Sequence, residues 1–210
     1  MKRLISKIKV TAELELLTGL HIGENSDNVE IGGIDSPVIK SPLYRGQPYI
    51  PGSSLKGKMR CLLEQMNGSS KVGGCDKINN LFGYSLENKP SKLIVRDAYM
   101  LESSVKELEN CDSLDMPYTE SKWENTIDRV KGTAEHPRQI ERVPAGVWFH
   151  VEFIVNVWDD DKEEDLLGLL DEGIKALEND YLGGNGSRGY GQVKFSPRKI
   201  EPVFLKSKSN

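Results

Sequence analysis

The chain has 210 residues, 37% hydrophobic and 29% charged, with a formal net charge of −4, which describes a globular protein large enough for one domain with a real core. No apolar run reaches the roughly 20 residues of a membrane-spanning helix, and Met1-Lys2-Arg3-Leu4-Ile5-Ser6-Lys7 has no apolar core behind its charges, so no membrane partner and no signal peptide are expected. Cys61, Cys75 and Cys111 are odd in number and lack C-x-x-C spacing; they indicate neither a disulfide framework nor a zinc site, and the expected location is cytoplasmic.

Ile8, Val10, Ala12, Leu14 and Leu16 alternate with Lys9, Thr11, Glu13 and Glu15, the period of a half-buried strand. A loop over 18–37 follows, with Gly19, Gly23, Gly32 and Gly33. After the turn formers Pro51-Gly52, Ser53 or Ser54 can cap a helix running to about Asn67, in which Leu55, Met59, Leu62, Leu63 and Met66 recur at helical spacing. Lys56 and Arg60, four apart, share a face beside that stripe, near a helix start whose N–H groups favour anions. This is a candidate phosphate site, although two solvated helix cations are the commoner meaning of such a pair.

Residues 68–90 read as an irregular insertion with a short turn at 77–82, and 93–99 as a strand containing Arg96-Asp97. The polar 104–115 suits a loop or short helix. Residues 118–142 carry both charge signs and few large apolar side chains, which suits a protruding hairpin or arm. Phe149, Val151, Phe153, Val155 and Val157 alternate as a second clear strand. A helix over about 161–181 follows, with Leu166, Leu170, Ile174 and Leu177 on one face and acids in its first turn matching the helix dipole.

The next segment, Leu182-Gly183-Gly184-Asn185-Gly186-Ser187-Arg188-Gly189-Tyr190-Gly191, contains a literal G-x-G-x-x-G. A dinucleotide fingerprint follows a strand and opens a helix, whereas this loop follows a helix and leads into a strand, so Rossmann binding is not expected. What remains is a mobile, positively charged backbone surface able to approach something closely. A final strand and a frayed tail at 206–210 close the chain. The order is that of an α+β, ferredoxin-like (RRM-like) β-α-β-β-α-β unit, a single domain over 1–210 with insertions.

Charge is segregated along the chain. Residues 36–60 contain no acid but include Lys40, Arg45, Lys56, Lys58 and Arg60, and 181–200 again contain none, with Arg188, Lys194, Arg198 and Lys199. Residues 159–180 are heavily acidic. One face for a polyanion and another repelling it would produce this pattern, as would chance clustering on solvated surfaces.

Six motifs in order carry a family resemblance: Thr18-Gly19-Leu20-His21-Ile22-Gly23, Ile34-Asp35-Ser36-Pro37-Val38-Ile39, the stretch from Ile50-Pro51-Gly52 to Arg60, Asn125-Thr126-Ile127-Asp128-Arg129, Arg138-Gln139-Ile140-Glu141-Arg142, and the glycine loop. Together they resemble the repeated backbone subunits of type III-A CRISPR interference (Csm) complexes, members of the RAMP superfamily, over nearly the whole chain. The resemblance implies copies stacked head-to-tail along a CRISPR guide RNA, an open helical arrangement. It implies complementary single-stranded target RNA as the second RNA partner, and other Csm subunits as protein partners, including the large signalling, polymerase-like subunit. The arm at 118–142 would be a thumb crossing the guide–target duplex, with Arg129 and Arg138 meeting RNA backbone. His21, Ser53, Ser54, Lys56, Lys58, Arg60 and Arg188 complete the implied RNA-binding set.

Taken alone, Asp35 in Asp-Ser-Pro after Gly-Gly is a turn former. The resemblance instead makes it the slicing residue, in metal-dependent endonucleolysis of target RNA at regular intervals. A kinked nucleotide would align its 2′-hydroxyl with the adjacent phosphorus, giving a 2′,3′-cyclic phosphate and a 5′-hydroxyl. A divalent ion, Mg²⁺ by expectation, would be held by Asp35 and RNA phosphate oxygens. His21 is read as guide-contacting or loop-positioning, His150 as structural, and Glu124 and Glu141 as solvated arm charges rather than metal ligands. Two alternatives stay open: a non-catalytic RNA-binding scaffold, and a related RAMP endoribonuclease that processes the repeat transcript.

Overall fold

The computed structural model describes residues 2–24, 34 and 36–205, so Asp35 and the expected frayed tail lie outside the described residues. The strands are β1 (Leu4–Leu16), β2 (Lys40–Ser41), β3 (Gln47–Ile50), β4 (Leu93–Val95), β5 (Ala98–Met100), β6 (Glu120–Ile127), β7 (Ala134–Arg142), β8 (Trp148–Trp158), β9 (Val193–Phe195) and β10 (Lys199–Leu205). The helices are α1 (Gly52–Met66), α2 (Asp76–Phe82), α3 (Glu102–Glu109) and α4 (Glu163–Glu178). The main sheet runs β10-β1-β8-β5-β3-β2, with β9 also on β1 and β4 also on β8. The pairs β1–β8, β1–β9, β1–β10, β4–β8 and β5–β8 are all antiparallel. Reduced to four positions the order is fourth, first, third, second, the arrangement that a β-α-β-β-α-β chain gives.

Alternation in the two central strands sets the layers. Ile8, Val10, Ala12, Leu14 and Leu16 of β1 and Phe149, Val151, Phe153, Val155 and Val157 of β8 are buried in one cluster. Leu55, Met59 and Leu63 of α1 and Leu166, Leu170, Ile174 and Leu177 of α4 complete that cluster from one side. The two helices meet closely at Gly173, where a Cβ would lie 3.3 Å from Leu63. His150 leaves β8 on the opposite face and is exposed, so it is not packed into the core.

Several local expectations shift in instructive ways. Neither Ser53 nor Ser54 caps α1, because the helix already begins at Gly52, whose N–H donates to Asp97 Oδ1 at 2.8 Å. The expected strand at 93–99 breaks into β4 and β5 around Arg96-Asp97, which frees Asp97 to cap the helix from a different element. The polar segment after β5 is helical as α3, and the turn near 77–82 is the helix α2. The arm is a two-stranded hairpin, β6–β7, forming a sheet of its own. Charge segregation in sequence partly cancels in space: Lys58 pairs with Asp180 at 2.8 Å, Arg198 with Asp171, and Lys92 with Asp161. No helix among the described residues is long and apolar enough to cross a membrane.

Candidate nucleic-acid interface

The glycine loop finds its close neighbour within the chain. Gly183, at φ +76°, sits so near the His21 carbonyl that a Cβ would meet that oxygen at 2.3 Å. The Gly184 N–H donates to His21 O at 2.8 Å and the Gly191 N–H to Gly19 O at 3.0 Å. Farther along, the Gln192 N–H donates to the Thr18 hydroxyl at 2.9 Å. Glycine at these positions lets two backbones lie against each other, so the loop holds 18–21 in place.

His21 is held from the other side by the arm. Its Nδ1 lies 2.7 Å from the Glu141 carbonyl oxygen. A carbonyl can only accept, so Nδ1 carries the hydrogen, leaving Nε2 as the ring's second nitrogen free of that bond.

Glu141 is the residue on which the site turns. Its side chain is 1% exposed, which overturns its reading as a solvated arm charge. The carboxylate accepts from the Val38 N–H (2.9 Å), the Thr119 hydroxyl (2.6 Å) and the Lys40 ammonium (2.5 Å). Its main-chain N–H donates to Ser36 O at 3.1 Å. On the far side of this segment the Ile39 N–H donates to Ile22 O at 2.8 Å and the Glu24 N–H to Pro37 O at 3.1 Å. The stretch that follows position 35 is thus clamped between the His21 loop and the root of the arm. A buried carboxylate with three donors is held rigidly, because losing any donor leaves charge unmatched in a low dielectric.

The cations of α1 have partners inside the fold. Lys56 Nζ donates to Ser91 Oγ (2.6 Å) and Leu93 O (2.9 Å); burial, and secondarily Arg60, lowers its pKa. Arg60 bonds Glu64 Oε1, Gly83 O and Asn79 Oδ1 at 2.9, 2.8 and 3.1 Å. Lys58 lies 3.5 Å over the Tyr181 ring as well as on Asp180. Lys56 and Arg60 are therefore neither solvated cations nor uncommitted ones; they tie α1 to the 79–93 region. Ser53 is exposed and Ser54 half-buried in the first turn of α1.

The remaining cations converge on the hairpin and glycine loop. Arg129 is exposed in the β6–β7 turn, which Asp128 braces by accepting from Val130 and Lys131 N–H at 2.8 and 3.1 Å. Those same amides hold the Asp128 carboxyl below its usual range. Arg188 Nη1 lies 2.9 Å from Glu124 Oε2, with Arg138 at 3.9 Å from the same oxygen and Lys122 at 3.7 Å from Oε1. Glu124 is 11% exposed, not a solvated charge. Beneath it Tyr190, 1% exposed, lies 4.5 Å under Lys122 and 5.0 Å under Arg142, with no hydrogen bond of good geometry to its hydroxyl. Burial, reinforced by the Glu124 carboxylate, pushes the Tyr190 pKa up to about 12.

Comparison with known proteins places this arrangement. The RAMP superfamily model matches residues 13–194. The chain belongs to the RAMP superfamily. It is 46% identical over 213 residues to the CRISPR system Cms endoribonuclease Csm3 of Streptococcus thermophilus, covering 95% of this chain and 91% of that protein. It is 43% identical to the Csm3 endoribonuclease of Methanocaldococcus jannaschii, covering 95% and 84%. Among solved structures it resembles the crystal structure of a Csm3–Csm4 subcomplex of the type III-A CRISPR-Cas interference complex, with a TM-score of 0.62 and 32% identity over 96% of this chain and 82% of that one. The backbone-subunit RAMP family expected from the motifs is the family found. Sequence reasoning missed the roles of Asp97 and Tyr190 and the burial of Glu141, each of which depends on partners distant in the chain.

Proposed function

We propose that this RAMP chain is a guide-RNA-binding filament subunit of a type III-A CRISPR effector, and that it cleaves complementary target RNA at Asp35. Its relatives are named endoribonucleases, and a resembling chain comes from a type III-A subcomplex. The observation that carries the reading is the Glu141 clamp, because it gathers the His21 loop, the segment following Asp35 and the arm root around one buried residue, through its main chain and its carboxylate. A linear sequence of motifs becomes one locus, as a site acting on a single phosphodiester requires.

Among the described residues no group of three His, Cys, Asp or Glu side chains could hold a metal. Glu141 and Glu124 are engaged by donors and cations. Asp35 would accordingly offer a carboxylate to a divalent ion, with RNA phosphate oxygens as further ligands. Such an ion, when bound, neutralises charge developing on the phosphate and lowers the pKa of an oxygen nucleophile. The chain's own part is to fix the target backbone. Arg129, Arg138 and Arg188, with the Ser53 and Ser54 hydroxyls, would bind phosphates, while His21 Nε2 would contact RNA beside the cleavage point.

The test is cleavage of labelled target RNA by the reconstituted complex, wild type against Asp35→Ala, in Mg²⁺ or EDTA, with target binding measured alongside. Regularly spaced cuts that vanish in the variant and in EDTA, with binding intact, are expected. Cuts that persist in the variant would make this subunit a scaffold.

A further inference from the structure

The cluster around Glu124 has an unusual balance. One carboxylate, 11% exposed, faces three cations from three places: Arg188 of the glycine loop (2.9 Å), Arg138 of β7 (3.9 Å) and Lys122 of β6 (3.7 Å). Arg188 and Arg138 keep about half of their side-chain surface in water, at 52% and 47%. Arg188 borders a cleft of about 590 Å³ lined also by Glu124, Asn125, Thr126, Ile127 and Arg129. A carboxylate with two oxygens cannot saturate two guanidinium forks and an ammonium, so donors are left over, those of Arg188 at the cleft. Of the ion pairs made by the glycine loop among the described residues, Arg188–Glu124 is the one that reaches the hairpin.

We propose that Glu124 stands in for an RNA phosphate in the RNA-free chain, and that a phosphodiester displaces it from Arg188 and Arg138 on loading. The exchange conserves charge on the cations, so they are never left facing one another unscreened. It also couples occupancy to shape, since releasing Glu124 removes the ion pair between the hairpin and the glycine loop and leaves Arg142 and Lys122 over Tyr190 as the contacts that join them. The free chain is then held in one arrangement and pays for RNA binding by giving up an ion pair, which tempers affinity for stray RNA. This rests on the reading of Arg138 and Arg188 as RNA contacts.

Binding of fluorescein-labelled oligo(U) to the full chain at low salt tests it. Glu124→Gln keeps the side chain's shape and removes its charge; it should tighten binding about fivefold, the scale of a partly exposed ion pair. Arg188→Ala should weaken binding, and adding Glu124→Gln to it should recover much less than fivefold. Glu135→Gln, a hairpin acid with no ion pair to Arg188, controls for the general loss of a negative charge and should leave affinity nearly unchanged. Unchanged or weaker binding by Glu124→Gln, or an equal gain from Glu135→Gln, overturns the exchange while leaving RNA binding standing. If Arg188→Ala binds as tightly as wild type, the assignment of Arg188 as an RNA contact fails first, and the exchange with it.

Discussion

Glu141 shows how much a single residue can decide. Each of its five hydrogen-bonding contacts comes from a different residue: Val38, Lys40 and Thr119 through the side chain, Ser36 and His21 through the main chain. Glu141→Ala removes the acceptor but leaves a fully buried Thr119 hydroxyl, the Val38 N–H and the Lys40 ammonium without it. Breaking a buried, multiply bonded charge costs roughly 3 kcal/mol. The expected outcome is a loss of that size in urea-induced unfolding of the isolated chain, with Glu141→Gln less damaging because it keeps the shape and one acceptor oxygen. A loss below about 0.5 kcal/mol, the ordinary effect of a surface change, would mean the carboxylate is solvated after all.

Between elements, the joint of hairpin and glycine loop is Tyr190. Its pKa is raised to about 12 by burial and the Glu124 carboxylate, whereas an unfolded tyrosine titrates near about 10. Between those values the unfolded chain has lost the proton that the native chain keeps, so stability falls as pH rises through that window and is fully present below it. The loss is on the order of 2 kcal/mol. Tyr190→Phe should remove this alkaline decline, and should cost at most about 1 kcal/mol at neutral pH, the usual net worth of one hydrogen bond. Thermal melts between neutral pH and pH ~11.5, with phenolate absorbance followed in parallel, check both halves. An identical alkaline decline in wild type and variant would assign it to other groups.

The same scale explains what could be read in advance. β1 and β8 are legible because period-two alternation is a property of each strand by itself, and the arm is legible because 118–142 carries both charge signs and few large apolar side chains. The break between β4 and β5 is not, since it exists so that Asp97 reaches Gly52, 45 residues away in sequence. Nor is the role of Glu141, whose partners lie up to 120 residues distant. Charge reads the same way. Lys56 and Arg60 sit where a helix start favours anions, yet tertiary acceptors at Ser91, Leu93, Asn79 and Gly83 claim them. Local pattern gives elements and candidate faces; which charges are committed depends on contacts made only by the assembled fold.

At the scale of the whole molecule, the division between committed and available cations sets how RNA binding should respond to salt. Each phosphate contact on a single strand contributes about 0.7 to the slope of log K against log salt. Arg138 and Arg188, both half-exposed, belong to the available set, so Arg138→Ala with Arg188→Ala should weaken oligo(U) binding and reduce the slope by about 1.4. Lys56 and Arg60 belong to the committed set. Lys56→Ala with Arg60→Ala should lower stability by roughly 1–3 kcal/mol, through acceptors left unpaired, while the slope stays where it was. A titration series of both double variants from low to moderate salt separates the cases. If the Lys56/Arg60 pair alone lowered the slope, RNA would have to draw these side chains away from Ser91 and Gly83, and α1 would be the phosphate-binding element that its sequence first suggests.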